Sequence, residues 1–296
     1  MKSKLTGMGV ALITPFKNDE SVDFDALARL VDYQIKNGID YLVVMGTTAE
    51  TPTLTDAEKK EITDFVVSRV AGRLPIVLGL GGNNTKSIVE KLKTDDFSGI
   101  DAILSVVPYY NKPSQEGIYQ HYKAISKASK LPIVIYNVPG RTGVNMTAET
   151  TLRLANDFSN IVAIKEASGN INQMNDIIRN KPKNFMVISG DDCITYPLLT
   201  MGAEGVISVI GNAFPSEFSR MVRLALAGDY DSAREIHLSF TELFDLLFVD
   251  GNPAGVKCML SMMGYIDNKL RLPLVPTRIT TMEKMRQVLT DLNVKY

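Results

Sequence analysis

The chain has 296 residues, with 32 Lys and Arg against 33 Asp and Glu for a formal net charge of -1. A near-neutral chain without a basic block argues against nucleic acid or an anionic membrane as partner, and no apolar stretch approaches the ~20 residues of a membrane span. Two cysteines, Cys193 and Cys258, and two histidines, His121 and His237, suit a reducing cytoplasm and leave a disulfide scaffold, a His-based metal centre or a Ser-His-Asp triad without material.

Short β-branched runs alternate with helical periodicity over the first three quarters of the chain. Strands are predicted over 9–14, 41–45, 76–79, 102–107, 133–136, 161–165, 185–189 and 205–209. The first helix is expected through Phe24, Leu27, Ala28 and Val31, with Asp23 as N-cap. A later one runs through Ile62, Phe65, Val66 and Val70, opened by Thr55 and Glu58 at capping-box spacing. Eight strands separated by single helices predict an α/β fold, a (β/α)8 TIM barrel. A doubly wound open sheet is the competitor, but no GxGxxG opens a helix. Gly79-Leu80-Gly81-Gly82 lacks the third spaced glycine and the downstream acid, so no nucleotide cofactor is expected.

After the eighth strand the pattern changes to consecutive helices, expected over 216–227, 231–248, 253–263 and 280–292. The division predicted is a barrel carrying the active site in 1–227 and a C-terminal helical appendage in 228–296.

Barrel enzymes place their chemistry at the carboxyl ends of the strands. The sixth strand, Ile161-Val162-Ala163-Ile164, ends in Lys165 and Glu166. A buried ammonium costs several kcal/mol unless paired. Burial favours the neutral amine, a nucleophile toward a carbonyl carbon, so Lys165 is a candidate Schiff-base lysine. The bland alternative is a lysine that reaches solvent or pairs with Glu166. Tyr136 ends the neighbouring fifth strand and is either a proton relay or a core anchor. Thr47 and Thr48 follow Gly46 after the second strand, as carboxylate ligands and relay or as a helix cap. Arg141, in Pro139-Gly140-Arg141-Thr142-Gly143, is either a fork for a carboxylate or a solvated charge. Tyr109 and Tyr110 follow the fourth strand, as a subunit contact or as loop aromatics. Asp191 and Asp192 are two adjacent carboxylates without further ligands, weak material for a metal, and no metal is expected.

Gly46-Thr47-Thr48-Ala49-Glu50, the run from Tyr136 to Gly143, and Ile164-Lys165-Glu166-Ala167-Ser168-Gly169 together resemble the dihydrodipicolinate synthase family of class I, pyruvate-dependent aldolases and lyases. The likeness extends over essentially the whole chain, including Pro108-Tyr109-Tyr110-Asn111-Lys112-Pro113 and Asn252-Pro253 with Lys257. The resemblance implies condensation of pyruvate with L-aspartate-4-semialdehyde to 4-hydroxy-tetrahydrodipicolinate, the entry step of diaminopimelate and lysine synthesis, without a cofactor. Under it Lys165 forms the imine with pyruvate, and Tyr136 moves protons to and from it through Thr47 and Tyr110. In the family the tyrosine at the position of Tyr110 comes from a neighbouring subunit, which implies at least a homodimer, with a tetramer built as a dimer of dimers expected. Thr48 matches the residue holding the pyruvate carboxylate, and Arg141 the one receiving the semialdehyde carboxylate. Gly190 and Ile207 match positions lining the pocket near the lysine. Alternative members, N-acetylneuraminate lyase and keto-deoxy sugar-acid aldolases, typically carry serine at the position of Thr47 or lack an arginine at that of Arg141. One departure is Ala49, where the family usually has glycine, and a small change in the loop is expected.

Overall fold

A computed structural model of the chain describes residues 1–292. Eight parallel strands close into a barrel in chain order: β1 (Gly7–Ala11), β2 (Tyr41–Val44), β3 (Ile76–Gly79), β4 (Ala102–Val106), β5 (Ile133–Asn137), β6 (Ile161–Glu166), β7 (Met186–Ser189) and β8 (Gly205–Ser208). β8 pairs with β1, Gly7 opposite Gly205, so no strand edge is left open. Each strand is apolar on both sides because each faces two buried layers. Tyr41, Val43, Val77, Leu104, Val134 and Met186 belong to the cluster filling the barrel. Leu42, Val44, Ile103, Ile135, Ile164 and Val187 belong to the cluster beneath the helices. Gly9 lies opposite Tyr41, and a Cβ there would meet the Tyr41 ring at 2.1 Å. Its absence lets the buried Tyr41 ring fill that part of the barrel, where its hydroxyl donates to the Val206 carbonyl at 3.3 Å.

The expected helix starts are present. Asp23 accepts from the Ala26 N–H ahead of Phe24–Lys36, and Thr55 with Glu58 forms both halves of a capping box ahead of Asp56–Val70. Two expectations shift. β1 ends at Ala11 rather than at 14, because Ile13 N–H is taken by the Asn212 side chain and the Thr14 hydroxyl by the Ala49 carbonyl. The single helix expected over 231–248 is two, Tyr230–Ser239 and Thr241–Leu246. Between them Phe240 lies with its ring 5.2 Å from that of Phe214 and 6.5 Å from that of Phe244. Pro215–Leu226 packs on β1 and β8 as the eighth barrel helix. The remaining helices, Ala254–Met262 and Ile279–Asp291, complete a C-terminal helical appendage. Residues 293–296 of the expected 228–296 unit lie outside the described residues. Among the described residues no helix is long and apolar enough to cross a membrane.

Candidate active site

β5 and β6 are the strands that build the site. Ile133 pairs with Ile161, but Val134 pairs with Ala163, so β6 carries one extra residue, Val162, in a bulge. Were Val162 paired regularly with Val134, Tyr136 would face Ile164; with Val162 bulged out, Tyr136 lies opposite Lys165. Side chains alternate across a strand, so this bulge decides that the lysine and not the isoleucine points into the barrel beside the tyrosine. Lys165 is only 6% exposed, and its ammonium sits 4.2 Å from the centre of the Tyr136 ring. The aromatic face offers a buried cation partial compensation.

Gly190, just past β7, flanks the same lysine. A Cβ at Gly190 would approach the Lys165 Cε to 3.1 Å and the Ala167 Cβ to 2.8 Å. The missing side chain therefore makes room for the lysine stem. Ile207, in β8, is buried in the inner cluster. Lys165, Tyr136 and Gly190 thus lie together, while Ile207 shares the inner cluster with Tyr136.

Lys165 does not pair with Glu166. Glu166 points to the helix layer, where its carboxylate accepts from Asn137 Nδ2 at 3.1 and 3.2 Å, Ser168 N–H at 2.8 Å and Gln173 Nε2 at 3.0 Å. Burial pushes its carboxyl pKa up, and those hydrogen bonds oppose the shift. Asn137 and Glu166 follow Tyr136 and Lys165 directly, so this buried network ties the ends of β5 and β6 together immediately behind the two.

Thr47 and Thr48 lie in the turn Thr47–Ala49 after β2. Thr47 is half-buried and Thr48 buried. Ala49 is buried, and the left-handed residue of the turn is its neighbour Glu50, at φ 55. No backbone demand for glycine falls on Ala49. Arg141 is exposed on the short helix Pro139–Thr142 after β5. Tyr110 is 88% exposed, with left-handed backbone at φ 72 and its N–H given to the Thr142 carbonyl at 3.3 Å. Among the described residues no hydrogen bond within the chain engages the hydroxyl of Tyr110, Tyr136 or Thr47. Asp191 and Asp192 hold backbone instead of each other's ligand. Asp191 accepts from Cys193 N–H, and Asp192 from Val209 and Ile210 N–H at 2.9 and 2.8 Å. Full burial pushes the Asp192 carboxyl up to about 6.

The sequence reading missed what supports the 46–54 turn. Glu50 is buried and ion-paired with Lys257, whose ammonium also donates to the Lys269 carbonyl at 2.9 Å. Burial brings the Lys257 pKa down to about 8, against the opposing pull of Glu50. Arg271 donates its N–H to the second Glu50 oxygen at 3.1 Å and its guanidinium to Glu58 and to the Thr53 carbonyl. Asn252 Nδ2 donates to Thr48 Oγ1 at 3.1 Å. A lysine inside the apolar helix Ala254–Met262 was the one local signal, since such a charge requires a buried partner.

A closed (β/α)8 barrel with a buried amine on a strand end, an aromatic ring beneath it and hydroxyls on the adjoining turns defines a barrel enzyme arranged for carbonyl chemistry. The model of the dihydrodipicolinate synthetase family matches residues 4–292, and the chain belongs to that family. It is 78% identical over 291 residues to the 4-hydroxy-tetrahydrodipicolinate synthase of Parabacteroides distasonis, spanning 98% of each. It is 71% identical over 295 residues to the enzyme of that name from Phocaeicola vulgatus, spanning 100% of this chain and 99% of the other. Among solved structures, dihydrodipicolinate synthase from Aquifex aeolicus superposes with a TM-score of 0.94 at 42% identity, covering 98% of this chain and 99% of that one. The chloride-inhibited dihydrodipicolinate synthase from Acinetobacter baumannii, complexed with pyruvate, gives 0.95 at 40% identity, covering 98% and 100%.

Proposed function

We propose that the chain is a Schiff-base-forming lyase, a 4-hydroxy-tetrahydrodipicolinate synthase, that condenses pyruvate with L-aspartate-4-semialdehyde. The observation that carries the reading is the pairing of Lys165 with Tyr136 across β5 and β6, amine over ring, in a chain of this family. The Lys165 amine attacks the pyruvate ketone carbon, and loss of water gives the imine. Removal of a methyl proton gives the enamine, whose carbon adds to the semialdehyde carbonyl. The amino group of the semialdehyde then attacks the imine carbon, closes the ring and releases Lys165. Tyr136 moves the protons, with Thr47 and Tyr110 as relay. Thr48 holds the pyruvate carboxylate, Arg141 receives that of the semialdehyde, and Gly190 and Ile207 line the pocket.

The near-complete exposure of Tyr110 supports a site finished by a second subunit, in a homo-oligomer built as a dimer of dimers. In this reading 1–227 carries the site and 228–296 braces it. Two free cysteines suit a cytoplasmic setting. The names of the relatives support this synthase over N-acetylneuraminate lyase or a sugar-acid aldolase.

A coupled assay with both substrates, run beside Lys165→Ala, tests the proposal. Turnover that collapses in the variant supports it. Borohydride should fix a pyruvate adduct on Lys165, read by mass spectrometry. An adduct without turnover reassigns the acceptor aldehyde, and neither adduct nor turnover overturns the reading.

A further inference from the structure

Three contacts tie the C-terminal segment to the turn after β2 across 204, 207 and 221 residues of chain: Asn252 to Thr48, Lys257 to Glu50, and Arg271 to Glu50. Two of them anchor the turn through its carboxylate. The third touches a hydroxyl proposed to meet substrate, and its direction has a chemical consequence. A threonine hydroxyl has one proton to donate and lone pairs with which to accept. The amide N–H of Asn252 fills an accepting position on Thr48 Oγ1, from a side chain that is only 6% exposed. The hydroxyl proton is then directed away from Asn252. A carboxylate can only accept. The opposite amide orientation would draw the Thr48 proton onto Asn252 Oδ1 and offer the substrate a lone pair, which repels a carboxylate.

We propose that Asn252 is a positioning residue that sets the Thr48 hydroxyl as a donor toward the carboxylate of the 2-oxo acid. This rests on the function proposed above. Lys257, ion-paired with Glu50 and five residues further along the chain, holds the segment bearing Asn252 against the turn. The C-terminal appendage thereby acts on substrate affinity without touching substrate.

Asn252→Asp imposes the opposite polarity, because an aspartate accepts the Thr48 proton and adds a negative charge. Since a hydrogen bond to a charged group is worth about 1.5–3 kcal/mol, the KM for pyruvate should rise by about tenfold or more, with kcat within about threefold of the parent. The KM for the semialdehyde should stay unchanged. Asn252→Ala, which only frees the hydroxyl, should give a smaller rise. In a Thr48→Val background Asn252→Ala should raise the pyruvate KM no further, because the group it orients is gone. Thermal melts accompany each variant. An unchanged pyruvate KM in a folded Asn252→Asp overturns the proposal, as do KM penalties that multiply in the double variant. Should Asn252→Asp not fold, Asn252→Ala and the double variant decide; failure of both single variants to fold makes Asn252 a structural anchor only and overturns the assignment. A parent that forms no borohydride-trapped pyruvate adduct fails the function reading itself, which separates the two.

Discussion

Lys165 and Tyr136 show how much can rest on one aromatic ring. The ring supplies a surface for the buried amine at 4.2 Å, while the phenol, on the proposed mechanism, carries protons. The two roles separate in Tyr136→Phe, which keeps the ring. The Tyr136 hydroxyl makes no hydrogen bond within the chain among the described residues, so the melting temperature should hardly move. Loss of general acid–base help should lower kcat by about 10²–10⁴-fold. A steady-state assay beside a thermal melt checks this, and a kcat near that of the parent would remove Tyr136 from the proton path. Both residues were legible as candidates in the sequence, since a lysine and a tyrosine closing apolar strands are chemically unusual. Asn252 was not, because nothing near it in the chain points to Thr48.

Among the elements, β6 has the decisive irregularity. Its bulge at Val162 is invisible in a β-branched run, where each residue suits a strand equally well. Deleting Val162 should remove the bulge and make the existing pairing continuous, with Ala163 opposite Val134 and Lys165 still opposite Tyr136. The expected protein folds with somewhat lower stability, because the chain on either side of the deletion must straighten, and still traps pyruvate under borohydride. Lost trapping in a folded variant would show that the strand slips past the deletion and takes Lys165 away from Tyr136. The break at Phe240 has the same character: helical periodicity runs through it, and packing against Phe214 and Phe244 divides it.

At the scale of the whole molecule, the C-terminal appendage is locked to the barrel by charged groups. Arg271 pairs with Glu58 at side-chain exposures of 15% and 24%. The Arg271 guanidinium, with the capping-box bonds of Thr55, holds the Glu58 carboxyl down at about 2, against the usual 4.5. A depressed carboxyl pKa means that the unfolded chain binds the proton first as pH falls. The stabilisation is therefore complete above about pH 4.5 and disappears as pH falls toward about 2. Glu58→Gln should melt below the parent at pH 7, with the gap narrowing from pH 4.5 downward, as followed by thermal melts across that range. A gap independent of pH would assign the effect to packing.

Some of this protein was determined by its sequence alone. Eight strands, their order, the helix caps and the lysine, tyrosine, threonines and arginine at the strand ends all follow from periodicity and local chemistry, which act between residues a few positions apart. Only the tertiary structure decided which β6 residue faces Tyr136, which carboxylate compensates Lys257 and which amide meets Thr48. Each depends on side chains brought together by closing the barrel and folding the C-terminal helices back over it, and the low dielectric of the interior makes those distant pairings strong enough to matter.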